Sequence, residues 1–170
     1  FLLVFTGVLL TMTSFPIFGQ SGTDNLADNK KSPDFLAVKG GWADSVFKSL
    51  TPDQRIAQLF MVAAYSNKDA AHVEKINSLV SEYKIGGLIF FKGSPVKQAH
   101  LTNYYQSKAQ TPLFIAIDGE WGLSMRLDST ISYPRQMSLG AIQNPVLIET
   151  MGEQIGAQCK RLGIHINFAP

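Results

Sequence analysis

The residues richest in chemistry stand together between Pro112 and Ser129, in the stretch PLFIAIDGEWGLSMRLDS. An apolar run, Leu113 to Ile117, drives straight into Asp118 and Glu120, followed by Trp121, Gly122 and Arg126. If the chain is still extended there, the two carboxylates, spaced i and i+2, share one face. Neighbouring carboxylates suggest acid/base work on a glycosidic bond, where carboxyl separation sets the stereochemical outcome. Both would issue from one strand end, however, whereas the carboxylates that break such a bond flank it from opposite sides. The pair therefore suits binding better than catalysis. Asp118 can accept hydrogen bonds from two sugar hydroxyls, and Arg126 can donate to a further oxygen. An equally good reading of the spacing is an Asp118–Arg126 ion pair that pins the loop. Trp121 could stack on a sugar ring, although a Trp beside Gly122 more often serves packing.

Other reactive side chains offer less. GLSMR around Ser124 has part of a G-x-S-x-G nucleophile elbow but lacks the second Gly and the strand-turn-helix setting. His72 and His100 fall in helical stretches, facing solvent or packed, and His165 in IHINF reads as a satisfied strand histidine. No histidine pairing at metal-ligand spacing exists. Cys159 is the single cysteine, so no intramolecular disulfide forms, and GAQCKRLG reads as a helical setting for a buried free thiol. Arg135 in YPRQM lies within range of the same loop, with nothing in the sequence to fix its direction.

An apolar run that ends in charge needs a framework to aim it. LTPDQRIAQLF carries a helix start, with Thr51 as N-cap, Pro52 at the first position and Gln54 closing a capping box. Ile56, Leu59 and Phe60 fall at helical spacing, and LFMVAAY (Leu59 to Tyr65) follows as a short buried strand. DAAHVEKINSLVSEYKI then places Val73, Ile76, Leu79, Val80 and Tyr83 on one helical stripe, ended by Gly86-Gly87. Leu88 to Phe91 reads as a second strand, and SPVKQAHLTNYYQSKAQ as a helix capped by Ser94 with Pro95 first. Leu113 to Ile117 is the third strand. Asn144 and Pro145 open the next helix, and IHINFA is the fourth strand. Apolar strands alternating with helices predict a parallel sheet covered on both faces. In such folds the loops leaving the carboxyl ends of strands carry the chemistry, which is where Asp118 to Gln143 lies. No G-x-G-x-x-G or P-loop follows a strand, so the expectation is an α/β fold made of the N-terminal half of a (β/α)8 barrel, truncated at Pro170.

The bulk properties narrow the function classes. The chain has 170 residues, 16% of them charged and 45% apolar, with a net charge of +2 and no basic run, which argues against nucleic acid as a partner. Residues 1–20, FLLVFTGVLLTMTSFPIFGQ, are uncharged, and the core FLLVFTGVLL has the length of a signal-peptide h-region rather than of a membrane span. The start without Met or a basic segment fits a partial signal peptide, and no Cys follows to take a lipid. Residues 21–40 are polar and rich in turn formers, the mark of a linker. The expectation is export to a periplasm or the exterior, no stable membrane insertion after signal removal, and a folded domain over 41–170.

Five motifs in order, TPDQRIAQLFMV, KIGGLIFFKGS, PLFIAIDGEWGLSMRLDS, YPRQMSLGAI and LGIHINFAP, resemble the N-terminal barrel of family-3 glycoside hydrolases. Within the family they are most similar to the bacterial β-N-acetylhexosaminidases, over roughly Leu50 to Pro170. The resemblance implies that Asp118 grips hydroxyls of the non-reducing sugar, that Arg126 assists, and that Glu120 shapes the loop. It implies retaining hydrolysis through a covalent glycosyl-enzyme, with no metal or organic cofactor. The family's Lys-His pair, Asp nucleophile and loop His with its Asp partner have no counterpart here, so the catalytic residues are expected beyond Pro170. The chain by itself is then expected to be inactive and to fold poorly, since half a barrel leaves an apolar sheet edge. The implied substrate is a terminal β-linked N-acetylhexosamine on peptidoglycan- or chitin-derived fragments. A β-glucosidase of the same family and a non-catalytic carbohydrate-binding protein are the alternatives.

Overall fold

The computed structural model describes residues 40–169. The leader expected over 1–20, and the linker expected over 21–40 apart from Gly40, lie outside them. Helix α1 (Gly41–Ser49) opens the described chain, with Asp44 in its first turn and Lys48 in its last, both favourable to the helix dipole. Helix α2 (Pro52–Ala57) starts as predicted. The Gln54 N–H donates to Thr51 Oγ1 at 3.3 Å and the Thr51 N–H to Gln54 Oε1 at 3.1 Å, both halves of a capping box. It stops early, however, and Ile56, Leu59 and Phe60 are largely exposed instead of forming a buried stripe. The cause is β-pairing: the Gly86 and Gly87 N–H groups both donate to the Phe60 carbonyl at 3.1 Å, drawing the chain into line with the next strand.

Strand β1 (Met61–Ala64) leads to α3 (Ala70–Ser78), capped by Asp69, whose carboxylate accepts from the His72 N–H at 3.1 Å. The expected long helix then widens into a π-helical turn, Leu79–Tyr83. That widening rotates the residues after it, so Tyr83 leaves the apolar stripe and is exposed while Ile76 and Val80 stay buried. Lys84, left-handed at φ 59°, ends the element rather than the glycines. Gly86 is required for a different reason: a Cβ there would collide with the Gln58 backbone carbonyl.

The remainder follows the predicted alternation: β2 (Gly87–Phe90), α4 (Pro95–Lys108), β3 (Phe114–Ile117), a 3-10 turn (Leu123–Met125), α5 (Gln136–Leu139), α6 (Pro145–Arg161) and β4 (Ile166–Asn167). Ser94 Oγ accepts from the Lys97 N–H at 3.3 Å and Asn144 Oδ1 from the Val146 N–H at 3.1 Å, so both read caps are in place. The short α5 had no signal of its own, and β4 is two residues rather than the whole of IHINFA.

All pairings are parallel and the strand order is β1-β2-β3-β4. Each strand lies beside the one before it, as in successive units of a (β/α)8 barrel, whereas a doubly wound sheet reverses direction part-way. The register aligns Met61, Gly87 and Phe114, and likewise Ala63, Ile89, Ala116 and Ile166. Alternation sends Ala64, Leu88, Phe90, Ile115 and Ile117 to the opposite face, where they form the buried core with Ile76, Val80 and Tyr105 from the helices. Truncating Ile115 or Ile117 to Ala costs about 2–5 kcal/mol by cavity formation. Burial on both faces was the expectation; instead Phe114 keeps 60% of its exposure on the first face. In a closed (β/α)8 barrel that face is the one turned inward, away from the helices.

Candidate functional site

One residue beyond the paired register, adjacent strands present Tyr65, Phe91 and Asp118. By alternation all three continue the inward rows headed by Met61, Gly87 and Phe114. The site is therefore built by register before any loop contributes.

The loops are then stitched to one another. Ser66 donates to the Lys92 carbonyl twice, from its N–H at 2.9 Å and its Oγ at 3.1 Å. Gly93 sits at φ 124°, where an L side chain is strained, and its carbonyl accepts from the Asp128 N–H at 2.9 Å. Asn167, the last residue of β4, brackets the backbone of one residue: Oδ1 accepts from the Gly119 N–H at 2.9 Å and Nδ2 donates to the Gly119 carbonyl at 3.4 Å. Leu123 and Leu127 anchor the long loop in the core. Gly122, at φ 87°, lies against Tyr133 so closely that a Cβ would come within 2.6 Å of the ring.

Within this frame Asp118 and Arg126 meet. Arg126 Nη2 forms a salt bridge to Asp118 Oδ2, and Arg126 Nε donates to the Asp118 backbone carbonyl at 2.8 Å. The guanidinium thus clamps both ends of one residue. The Asp118 and Arg126 side chains still keep 27% and 21% of their exposure, so the pair is open to a ligand. Asp118 Oδ1 and the remaining Arg126 N–H groups have no partner among the described residues. An acceptor beside planar donors, at the carboxyl ends of parallel strands, can grip vicinal hydroxyls.

The other sequence candidates have surroundings of their own. A tight turn, closed by the Gly122 N–H on the Gly119 carbonyl at 3.1 Å, separates Glu120 from Asp118, so the chain is not extended between them. The Glu120 backbone carbonyl accepts from Gln136 Nε2 at 2.8 Å, and Glu120 lines a depression of about 670 Å³ with Gln136, Ile155 and Asn167, to which Asp118 does not contribute. Trp121 is half-buried under the guanidinium of Arg135, 4.8 Å from the ring centroid, which gives Arg135 its direction. His165 pairs through both backbone and ring: its N–H donates to the Ile115 carbonyl at 2.8 Å and its Nδ1 accepts from the Ile115 N–H at 3.0 Å. His100 is exposed on α4, and Ser124 lies in the 3-10 turn, its Oγ without a partner among the described residues. Cys159 is half-buried, and burial pushes its thiol pKa up, the opposite of an activated nucleophile. Among the described residues no group of His, Cys, Asp and Glu gathers to hold a metal ion, and no helix is long and apolar enough to cross a membrane. Sequence reasoning missed Tyr65, Phe91 and Asn167. A polar Asn closing an apolar strand was the available signal for the last; the two aromatics looked like core.

Parallel strands in sequential order, with a carboxylate and a guanidinium gathered at their carboxyl ends, define a strand-end site of the kind that barrel-forming α/β proteins carry. The model of the glycosyl hydrolase family 3 N-terminal domain matches residues 51–170, and the chain belongs to this family. It is 38% identical over 109 residues to the β-hexosaminidase A of Pseudoalteromonas piscicida, a match covering 56% of this chain and 18% of that protein. The structure of a family 3 β-N-acetylglucosaminidase from Paenibacillus sp. str. FPU-7 superposes with a TM-score of 0.60 at 31% identity, over 71% of this chain and 24% of that one. A β-glucoside phosphorylase, BglX, superposes with a TM-score of 0.68 at 18% identity, over 76% of this chain and 23% of that one, a likeness of fold. The chain spans less than a quarter of the length of each of these three proteins.

Proposed function

We propose that the protein to which this chain belongs is an exported glycosidase that removes terminal β-linked N-acetylhexosamine with retention of configuration. In it, Asp118 and Arg126 grip the non-reducing sugar. The observation that carries this reading is the half-open Asp118–Arg126 clamp, in which one carboxylate oxygen and several guanidinium N–H groups at the carboxyl ends of the strands have no partner among the described residues. The names of the P. piscicida and Paenibacillus relatives support an N-acetylated hexosamine. Bond cleavage is assigned to groups outside residues 40–169: an Asp that attacks the anomeric carbon, and an acid/base that protonates the leaving oxygen and then activates water. The uncharged apolar stretch 1–20 supports export, and fragments of peptidoglycan or chitin are the substrates proposed.

The test uses the full-length protein with N-acetylglucosaminide and glucoside substrates, and calorimetric binding of N-acetylglucosamine. Asp118→Asn and Arg126→Ala are each expected to lower kcat/KM for the N-acetylglucosaminide by about 10- to 100-fold, the worth of a charge-assisted hydrogen bond. Preferred turnover of the glucoside makes the protein a β-glucosidase. Tight sugar binding without turnover makes it a carbohydrate-binding protein. Unchanged kinetics in both variants would leave the pair as a loop pin only.

A further inference from the structure

The strand ends also carry a run of contacting side chains that leads into Arg126 from the side away from Asp118's own segment. The Arg126 guanidinium carbon lies 4.8 Å from the centroid of the Phe91 ring. Phe91 lies beside Tyr65, with centroids 6.0 Å apart and planes inclined by 30°. Tyr65 is itself fixed: its backbone N–H donates to His72 Nε2 at 3.2 Å, and the two rings meet edge to face at 5.6 Å and 71°. Lys68 Nζ sits 3.9 Å from the Tyr65 centroid. The succession Lys68, Tyr65, Phe91, Arg126, Asp118 thus crosses the ends of β1, β2 and β3.

We propose that Phe91, backed by Tyr65, is a positioning residue that holds the Arg126 guanidinium in the orientation that serves substrate. The proposal rests on the reading of Asp118 and Arg126 as a sugar grip. A guanidinium attracted to a ring through its face keeps its in-plane N–H groups available for hydrogen bonds. Asp118 takes two of those donors and Phe91 takes none, so the ring fixes the group without competing with a ligand. Arg carries large rotamer freedom when unrestrained, and every hydroxyl it binds would have to repay that loss. The contact with half-buried Phe91 adds a hold on the face of the guanidinium to the two in-plane bonds to Asp118, so the plane of the group is set before substrate arrives. Position supports the assignment: Phe91 is the residue that register places between Tyr65 and Asp118 on the inward side.

The experiment compares full-length wild type with Phe91→Leu, Phe91→Met and Phe91→Tyr by crystallography, by kinetics and by melting temperature. Phe91→Leu is expected to tilt the Arg126 guanidinium out of its wild-type plane while it stays bonded to Asp118, and to raise KM for an N-acetylglucosaminide about tenfold, with kcat changed far less. Phe91→Tyr keeps the ring and is expected to restore both. Should the Leu variant not fold, Phe91→Met makes the same comparison, since it too removes the aromatic face while preserving bulk. An unmoved Arg126, or an unchanged KM beside a lowered melting temperature, overturns the proposal and leaves Phe91 a packing residue. If the wild type neither binds nor hydrolyses N-acetylglucosaminides, the sugar-grip reading fails on its own. The crystallographic position of Arg126 then still decides whether Phe91 holds it.

Discussion

Two sets of polar groups in this molecule are treated in opposite ways. At the carboxyl ends of the strands, polar groups from different segments are paired, Ser66 with Lys92, Gly93 with Asp128 and Asn167 with Gly119, and within one loop Arg126 pairs with Asp118. On the inner stripe of α4, Gln98, Thr102 and Tyr105 follow one another at i, i+4 and i+7, all buried. There, Gln98 Nε2 and Oε1, Thr102 Oγ1 and the Tyr105 hydroxyl have no partner among the described residues. The contrast separates polarity that fixes geometry from polarity that the core merely tolerates. Bonds across segments hold loops at the distances a ligand needs; unpartnered atoms in a core lower stability without positioning anything.

The most damaging way to break the contrast is to unpick the stitched end at Gly93. A methyl there would strike Ser66 Oγ, lie 3.0 Å from the Asn67 nitrogen, and force an L residue to hold φ 124°. Gly93→Ala is expected to destabilise the full-length protein by about 3 kcal/mol, combining backbone strain with overpacking. Denaturant unfolding measures it. A loss near zero would show that the loops after β1 and β2 move apart freely, and the stitching would then have no structural weight.

The α4 stripe sharpens the same contrast from the other side, with a smaller effect of opposite sign. Burial pushes the Tyr105 pKa up to about 12, the mark of a hydroxyl held in its neutral form away from water. Removing that hydroxyl by Tyr105→Phe, or the amide by Gln98→Met, is expected to leave stability unchanged or to raise it by about 1 kcal/mol. A drop of that size in either variant would mean that bound water or another part of the protein satisfies these atoms. The stripe would then belong with the stitched end.

How much of this arrangement is legible in the sequence depends on how far its parts are separated along the chain. The caps at Thr51, Ser94 and Asn144 are local patterns, and each forms as read. Asp118 and Arg126 lie on one segment, so their spacing pointed to a pair, and the pair exists. Phe91, Tyr65 and Asn167 join the site only through strand register, which no local pattern carries; an aromatic at the end of an apolar run reads as core until its neighbour is known. The π-helical turn escaped for a related reason. Its apolar residues keep helical spacing, and only the demand that Lys84 turn the chain toward β2 reveals the widening.

The smallest expected effect concerns the hydrogen bond beneath Tyr65. His72 Nε2 accepts from the Tyr65 N–H, which requires that nitrogen to be unprotonated. The His72 pKa lies below the ordinary 6.5, first because burial penalises the charged ring and then because Lys68 and Lys75 repel it, with Asp69 opposing. A lowered pKa in the folded state means that the unfolded chain binds more protons as pH falls. His72 therefore contributes its stabilisation fully above 6.5 and loses it as pH drops through the lowered value. His72→Gln can still accept the Tyr65 N–H through its amide oxygen but cannot titrate. The stability difference between wild type and this variant is thus expected to move against the wild type between neutral and mildly acidic pH, measured by denaturant unfolding across that range. A difference that stays flat would uncouple His72 from Tyr65. Support for the Phe91 ring would then come from packing against Tyr65 itself, independent of the histidine.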